Sequence, residues 1–482
     1  MRESIRYILF ILGSFLLTSQ LFCQEQIGLR TSTYAGMHGA QLNPANSAHY
    51  PLQWEVGLFS SSAFFENNFA FITNTSTGHL IKNGANLEAG YDQEARPTSN
   101  FFYDFGADTT YNRFANLELK INGPSVLFRP DESQAIGVFF NARFSASTNK
   151  VPGIYNYYYF AEKLVGEPVP LNPAKTASMV WTELGLHYSK SLETYNGKIS
   201  FGANVKYLQG YEATFADLGK KTYSMSVNSD TINIEGIDFQ FGYTNSNISM
   251  VDGESFKAKV NGRGVGIDLG FNYIVDGYED KYLYRIGISL LDIGVIKFNR
   301  NTEAHRLDTE MDFELSESLY QSFSSVEEVT TQISNDALGT ATASFVDNEF
   351  KVGLPGAFIL QGDFNIVHGL YVSGLWLQEI PLAKRQVQRE SLVNITPRYE
   401  HKWGEIHLPI SMYNYKTINV GMSMRLGFLT VGTDNLGSFI QSKKYTGTDF
   451  YVGLKIYSFG SGLSIGGLNF GGRGKKVKCY DF

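Results

Sequence analysis

Polar and apolar residues alternate one by one over many segments of this chain. Residues 117–122 read Leu-Glu-Leu-Lys-Ile-Asn, and residues 265–273 alternate Val, Ile, Leu, Phe and Tyr with Gly, Asp, Gly and Asn. Because successive side chains of a strand point to opposite faces, each segment has one apolar face and one face of glycine, amide and charge. This combination is typical of strands with lipid outside and a wet lumen inside. We therefore predict an all-β fold, a transmembrane antiparallel β-barrel.

The spacing of these segments predicts about fourteen strands, within a range of twelve to sixteen. Tight turns and long polar links follow one another in alternation, as in outer-membrane barrels with short periplasmic turns and long extracellular loops. The long links lie at residues 74–114, 149–175, 213–261 and 298–349. The predicted strands are residues 52–73, 115–129, 134–148, 176–192, 197–212, 262–275, 281–297, 350–365, 369–379, 388–401, 404–414, 417–427, 428–435 and 446–458.

One long link has a helical period between residues 316 and 336. Apolar residues recur there at helical spacing, and Ser316 or Ser318 is the candidate N-cap. The apolar positions are Leu319, Phe323, Val326, Val329 and Ile333. We predict a helical insertion in an extracellular loop. It either packs on its own loop or forms a lid or part of a hydrophobic groove at the mouth of the barrel.

Composition narrows the class of protein. The 482 residues carry a formal charge of −7, so no basic field indicates a nucleic-acid partner. The 48 glycines, the 14% aromatic residues and only 13 prolines favour strands with small lumen residues and aromatic girdles. An aromatic cluster at residues 155–160 fits the outer girdle, with carbohydrate stacking as the alternative.

The N-terminus predicts export. Arg2 and Arg6 precede an apolar run at residues 8–17 and a polar stretch that ends at Cys23, which is the order of a secretory signal peptide. The run is too short for a membrane-spanning helix. Cys23 is either removed with the signal or lipidated, although Phe22 is bulkier than the residue that usually precedes a lipidated cysteine. We predict a multi-pass barrel in the outer membrane of a Gram-negative cell.

The chain is expected to have four parts. Residues 1–23 are the signal peptide, 24–51 an N-terminal hatch or plug, 52–458 the barrel, and 459–482 an extension rich in glycine and lysine. The last strand is expected to end near Ser458, with the extension in the periplasm or tucked into the lumen.

Alternation places nine ionisable side chains in the lumen. Leaving any of them buried and unpaired would cost several kcal/mol, so they must pair or meet water. They either pair across the barrel and fill it, or some of them line a path for a solute. The nine are Glu118, Lys120, Arg143, Glu183, His187, Lys206, Asp268, Arg285 and Lys455. The same pattern predicts that Leu119, Val138, Phe201, Ile267 and Ile288 face lipid, and that Asn141 and Asn204 face the lumen.

Catalytic and metal-binding patterns are weak. The eight histidines are scattered, and a turn separates His401 from His407, the one pair near metal-ligand spacing. The sequence has no Walker loop, no nucleophile elbow and no dinucleotide fingerprint between a strand and a helix. We expect no cofactor and no metal, and an outer-membrane enzyme is the least favoured function.

Residues 35–48 resemble a segment of a known protein family. Asn43, Pro44 and Ala45 resemble the N-terminal Asn-Pro-Ala element of the FadL-like barrels, the hydrophobic-compound transporter class. More closely, the chain resembles Bacteroidota outer-membrane barrels of unknown function. Further segments that carry this likeness are residues 290–294, 351–355, 396–400, 426–436 and 449–454. The resemblance implies a hatch inside a fourteen-stranded barrel and a passage for hydrophobic solutes.

Two functions follow as hypotheses. The first is a FadL-like channel or transporter for small hydrophobic solutes, which needs a continuous path past the hatch. The second is a plugged, non-transporting barrel that serves as a scaffold of an envelope machine for secretion, gliding or outer-membrane assembly. Besides lipid, the expected partners are therefore a hydrophobic small molecule or envelope proteins. If the hatch gates transport, deletion of residues 26–42 should raise permeability; if it does not, the scaffold is favoured.

Overall fold

The structure is a computed structural model of the chain. It describes residues 26–84, 100–103, 113–151, 169–171, 173–219, 223–227, 231–245, 259–277, 282–320, 323, 325–440, 444–458, 463–465 and 468–470. The predicted signal peptide, the aromatic cluster at 155–160 and most of the C-terminal extension lie outside these residues.

Fourteen antiparallel strands form a closed barrel. Each strand pairs with the next, and the first pairs with the last, for example Ser60 with Gly453. Both the barrel and its predicted strand number are confirmed. The strands are β1 Trp54–Asn67, β2 Phe114–Phe128, β3 Gln134–Asn149, β4 Lys175–Thr194, β5 Gly197–Leu218, β6 Gly262–Asp276, β7 Tyr282–Phe298, β8 Phe350–Gly353 with Ala357–Val367, β9 Leu370–Glu379, β10 Leu392–His401, β11 Gly404–His407 with Ile410–Tyr413, β12 Thr417–Val420 with Met422–Leu426, β13 Leu429–Thr433 and β14 Gly447–Tyr457.

The outer face of the barrel is apolar. Along β4, Leu184, Leu186 and Tyr188 are exposed, while Glu183 and His187, on the alternate positions, are buried. Of the residues predicted to face lipid, the structure places Val138, Phe201, Ile267 and Ile288 on the outer face with exposed side chains, and Leu119 is partly exposed. A closed barrel leaves no unpaired edge in a bilayer, so the protein is an integral outer-membrane β-barrel.

Helices contribute little to this architecture. Among the described residues, no helix combines the length and the apolar content that a membrane-spanning helix requires. The helices are α1 Ile27–Arg30, α2 Met37–Ala40, α3 Thr77–Asn83 and α4 Val326–Leu338, with 3-10 helices at Pro44–His49, Glu317–Tyr320 and Leu436–Phe439.

The lipid face gives a direct test of the register. Arginine in place of Ile267 should lower the free energy of unfolding by about 2–4 kcal/mol, because a charge near the bilayer midplane loses its hydration. Met311→Arg is the matched control, because Met311 is exposed on a loop strand outside the barrel. Urea unfolding in lipid vesicles measures both, and the shift in gel mobility between unheated and boiled samples reports folding. Equal costs at the two positions would contradict the register.

The long links contain regular structure that the sequence analysis missed. Thr231–Thr244 and Thr302–Ser316 form an antiparallel pair beyond the barrel, where we predicted polar links at 213–261 and 298–349. Both strands alternate apolar and polar residues, but their polar positions carry many carboxylates and so resemble loop. Their apolar face is covered by α4 instead of lipid. Short strands at Val169–Leu171, Tyr223–Val227 and Phe345–Asp347 extend this sheet, and Ala70–Ile72 pairs with Phe101–Tyr103.

The predicted loop helix exists but starts later than expected. The predicted range began at residue 316, whereas α4 begins at Val326, and residues 317–320 form only a 3-10 turn. Ser325, not Ser316 or Ser318, is the N-cap, since its side chain accepts from the backbone N–H of Glu328. Ile333, Ala337 and Leu338 pack on the loop sheet. The helix therefore packs on its own loop.

Several ends of predicted strands also differ: β1 ends at Asn67 where residue 73 was predicted, and β5 extends to Leu218 beyond the predicted residue 212. β14 ends at Tyr457, close to the expected Ser458, and a short hairpin of Leu463–Ile465 with Leu468–Phe470 follows. Residues 388–391 were predicted as the start of a strand, but β10 begins only at Leu392. They belong instead to a connection, residues 380–391, that folds into the barrel and is called the inward loop below.

Candidate functional site in the barrel lumen

Residues 26–50, called the N-terminal segment below, lie against the inward-facing side chains of the barrel. Asn43 has an extended backbone, and its side-chain Oδ1 accepts from the N–H of Ala45 at 2.9 Å. Pro44 then begins the 3-10 helix, where its missing N–H costs nothing. The Asn-Pro-Ala element thus turns the chain by a side-chain cap followed by a fixed φ.

Two glycines of the barrel wall accommodate this turn. Gly202 of β5 and Gly270 of β6 are direct cross-strand partners. A Cβ on Gly202 would lie 2.3 Å from the carbonyl carbon of Pro44, and one on Gly270 would lie 2.2 Å from Oδ1 of Asn43. Only glycine lets the backbone of the segment approach the wall so closely.

Polar contacts attach the segment to several strands. Asn43 Nδ2 donates to the carbonyl oxygens of Phe271 and Ile288, each at 3.3 Å. Asn204 donates to the carbonyl of Ala40 at 3.0 Å, and Asp434 accepts from the backbone N–H of Ile27 at 3.1 Å. Hydrogen bonds at such distances satisfy buried groups on both sides. The segment is therefore held on opposite walls of the barrel.

His187 joins the segment to the wall. One ring nitrogen lies 2.6 Å from Ser47 Oγ and the other 2.6 Å from Asn204 Oδ1. This connectivity is that of a Ser-His-Asn hydrolase triad, but all three side chains are buried, and Ser47 Oγ also lies 2.6 Å from Ser189 Oγ. A substrate would need room beside the hydroxyl, so the arrangement serves to position the segment.

A buried ion cluster occupies mid-height of the lumen. Arg143 bonds Glu118 at 2.9 Å, Glu183 at 3.1 Å and Asp292 at 3.0 Å. Lys206 bonds Asp268 at 2.7 Å and Asp292 at 2.5 Å. Six of the nine predicted lumen residues therefore belong to one cluster. The central ion cluster, as we call it, comprises Arg30, Glu118, Lys120, Arg143, Glu183, Lys206, Asp268, Asp292 and Arg389.

Asp292 contacts three of these cations and was not among the predicted residues. Strict alternation from Arg285 points Asp292 to lipid, but a bulge in β7 turns both Leu291 and Asp292 inward. Asp292 has φ of 56°, rare for a residue other than glycine, and its N–H donates to Asp268 at 2.8 Å. The sequence signal for this bulge was the break in alternation at Leu290-Leu291, directly before the charged Asp292.

The cluster touches both the N-terminal segment and the inward loop. Lys120 donates to Gln41 of the segment at 2.8 Å, and Arg389 of the inward loop lies 3.6 Å from Asp292. The space left among these side chains is about 10 Å³, room for about one water molecule. Among the described residues, the lumen is therefore filled at this level.

The remaining predicted residues bond near the short turns. Arg285 lies 3.0 Å from Asp363, which also bonds Arg398 at 2.7 Å. Lys455 bonds Glu55 at 2.9 Å, and Glu55 in turn accepts from the N–H of Met37 at 3.0 Å. The Lys455–Glu55 pair therefore attaches the N-terminal segment to the barrel wall near the short turns.

The inward loop covers the opposite end of the lumen. Its Gln388 N–H donates to Ser147 Oγ of β3 at 2.9 Å, and Glu390 accepts from Asn116 of β2 at 2.9 Å. Both strands lie across the barrel from β9 and β10, which the loop connects. Its Val387 joins a buried apolar cluster at the outer ends of β4, β5, β7 and β8. That cluster comprises Ala177, Met179, Trp181, Leu208, Ala213, Phe215, Ile296, Phe298, Ala304, Phe350, Val352, Leu354 and Val387.

Metal binding finds no support in this geometry. Within the described ranges, no group of three or more histidine, cysteine, aspartate or glutamate side chains is placed to hold a metal ion. Of the two histidines near metal-ligand spacing, His407 is buried and pairs with Glu405 at 3.2 Å, whereas His401 is exposed.

Comparisons with known proteins match a family and several structures. The model of a family of unknown function, DUF5723, matches residues 44–434. A comparison with proteins of curated function found no match. Among solved structures, a TodX mutant described as a monoaromatic hydrocarbon channel aligns at 8% identity and a TM-score of 0.42, covering 88% of this chain and 94% of its own. The toluene transporter TodX of Pseudomonas putida aligns at 9% identity and 0.38, covering 88% and 95%.

A FadL homologue of Pseudomonas aeruginosa aligns at 8% identity with a TM-score of 0.23, covering 91% of this chain and 98% of its own. The predicted resemblance to a family of unknown function is confirmed by the family match. A Bacteroidota origin stays a prediction. Likeness this remote says nothing about what the chain binds or transports.

Proposed function

We propose the function of this chain from the geometry of its lumen. The chain belongs to DUF5723, a family of unknown function, so membership of the family does not supply one. The protein is a plugged outer-membrane barrel that does not conduct in its resting form. It serves as a component of the envelope and presents its long-loop end, with the sheet beyond the barrel, to other molecules. By the usual rule for such barrels, this end is extracellular.

One observation supports the proposal: the N-terminal segment and the inward loop both contact the central ion cluster inside the barrel, through Gln41 and Arg389. We infer that the segment closes the half near the short turns and that the loop closes the half near the long loops. A barrel of fourteen strands is wider than an eight-stranded one, whose side chains just fill it, so an open pore would result without these two elements.

Conductance of the purified barrel in planar bilayers tests the proposal. The wild-type protein should not conduct. Deletion of residues 26–42 alone should leave it closed, because the inward loop remains. Combining that deletion with replacement of residues 382–388 by a short Gly-Ser linker should give a stable pore. Replacement of residues 326–338, the helix outside the barrel, in the wild-type protein is the matched control, and this variant should stay closed. These recordings are made in acidic buffer, where the inward loop stays in place. Conductance of the wild-type protein, or opening by the first deletion alone in that buffer, would contradict the proposal.

The second candidate is the transporter of small hydrophobic solutes. The buried apolar cluster of the outer lumen favours it, because an entirely structural plug has no need of an apolar interior there. The test compares the flux of a small hydrophobic probe into liposomes with and without the wild-type protein. A higher flux with the protein, in the absence of ion conductance, would support this candidate and exclude the first.

A further inference from the structure

A recess opens between the inward loop and the outer ends of β4 and β5. Its volume is about 70 Å³, and its floor includes the rings and methyl groups of Phe215, Ala177 and Ala383. Its rim includes Lys384 and Arg385 of the loop. The residues that line it include none of the central ion cluster and none of the N-terminal segment, so it is distinct from both, although the inward loop forms one of its sides.

Two adjacent cations at this recess form no salt bridge among the described residues, and the attraction of Asp217 to Arg385 acts from beyond ion-pair distance. Lys384 Nζ and Arg385 Nη2 both donate to the same neutral acceptor, Oε1 of Gln240, at the long distance of 3.4 Å. In the part of the chain that the structure describes, no carboxylate lies within ion-pair distance of either. Two like charges that converge on one amide oxygen repel each other unless an anion lies between or beside them.

Arg385 is the more constrained of the two. Its guanidinium lies 3.9 Å above the ring of Phe215, and its Nε is buried without a hydrogen-bond partner. Burial lowers the pKa of this guanidinium, because the charge loses water there. A buried N–H without an acceptor is destabilising, and a ligand oxygen at this position would supply the missing acceptor.

The carboxylates that line the recess are already engaged. Asp217 lies 3.7 Å from Lys175, and Glu379 accepts from the backbone N–H of Arg389. With Lys175, three cations line the recess against these two carboxylates, so the cations outnumber the acidic groups.

We propose that this recess binds a short-chain carboxylate, with the carboxylate on Arg385 and Lys384 and the alkyl group on Phe215 and Ala177. The charge requires an anion and the floor requires an apolar group. The size excludes a large one, because a cavity that holds benzene has about 150 Å³, twice the volume found here.

Isothermal titration calorimetry of the full-length protein in detergent tests the site, with propionate as the probe. Arg385→Gln should weaken propionate binding at least tenfold, and Lys384→Gln two- to fivefold. Lys297→Gln is the matched control. Lys297 lies outside the recess and bonds Glu349 at 2.7 Å, so this variant should bind propionate as the wild type does. Unheated gel mobility shows that each variant is folded.

Comparison ligands decide the chemistry. 1-Propanol lacks the charge, inorganic phosphate lacks the alkyl group, and toluene exceeds the volume, so each should bind at least tenfold more weakly than propionate. Equal binding of any of the three would overturn the assignment, as would propionate binding that both loop variants leave unchanged. These outcomes do not depend on whether the barrel conducts, so failure here is distinct from failure of the plugged-barrel proposal.

Discussion

Asp292→Asn should lower the free energy of unfolding by about 3–5 kcal/mol, the range for removing one partner of a buried ion pair. The substitution keeps the shape of the side chain and tolerates the left-handed backbone at this position, where φ is 56°. It removes only a charge. Arg143, Lys206 and Arg389 then share the remaining carboxylates in a volume that has room for about one water molecule.

A surface carboxylate provides the control. Asp308→Asn also breaks an ion pair, with Arg306 at 2.6 Å, but both side chains are more than two-fifths exposed. Pairs of this kind contribute about 0–1 kcal/mol. Urea unfolding in lipid vesicles, followed by tryptophan fluorescence, compares the two variants. A cost below 1 kcal/mol for Asp292→Asn would show that the central ion cluster does not depend on this carboxylate.

The inward loop should leave the lumen as the pH rises, through deprotonation of Glu390. Burial raises the pKa of Glu390 well above its usual range, and the neighbouring carboxylates of Glu66 and Glu379 raise it further. One oxygen of Glu390 and one of Glu66 are buried without a hydrogen-bond donor. A proton on Glu390 supplies the missing donor, while two charged carboxylates there would repel each other at a cost of several kcal/mol.

The sign of the effect follows from linkage. The pKa of Glu390 is higher with the loop in place than in the free chain, so the closed form binds more protons. Its contribution is complete below the ordinary glutamate pKa and is lost as the pH rises through the raised value. The conductance of the variant lacking residues 26–42 should therefore appear on alkalinisation. Glu390→Gln resembles the protonated acid and should stay closed at every pH; opening of that variant at the same pH would contradict the mechanism.

The sequence by itself determined the barrel, the number of its strands and the faces of its side chains. The reason is local: a strand has a period of two, and lipid admits only apolar groups on one side. Val138, Phe201 and Ile267 could therefore be assigned to the outer face, and Lys206 and Asp268 to the lumen, without knowledge of their partners. The Asn43-Pro44-Ala45 turn was equally local, since it rests on a side-chain cap and a fixed φ.

Only the tertiary structure decided which charges meet and what fills the lumen. The lumen accepts both polar and apolar groups, so no pattern in the sequence distinguishes an ion pair across the barrel from a charge in water. The bulge that turns Asp292 inward reverses the inward and outward positions along the rest of that strand. It is favoured because the carboxylate of Asp292 then bonds Arg143 and Lys206. The inward course of residues 380–391 likewise depends on contacts with β2 and β3, more than 200 residues away along the chain. Long-range pairing of this kind is decided by packing, which a local pattern cannot contain.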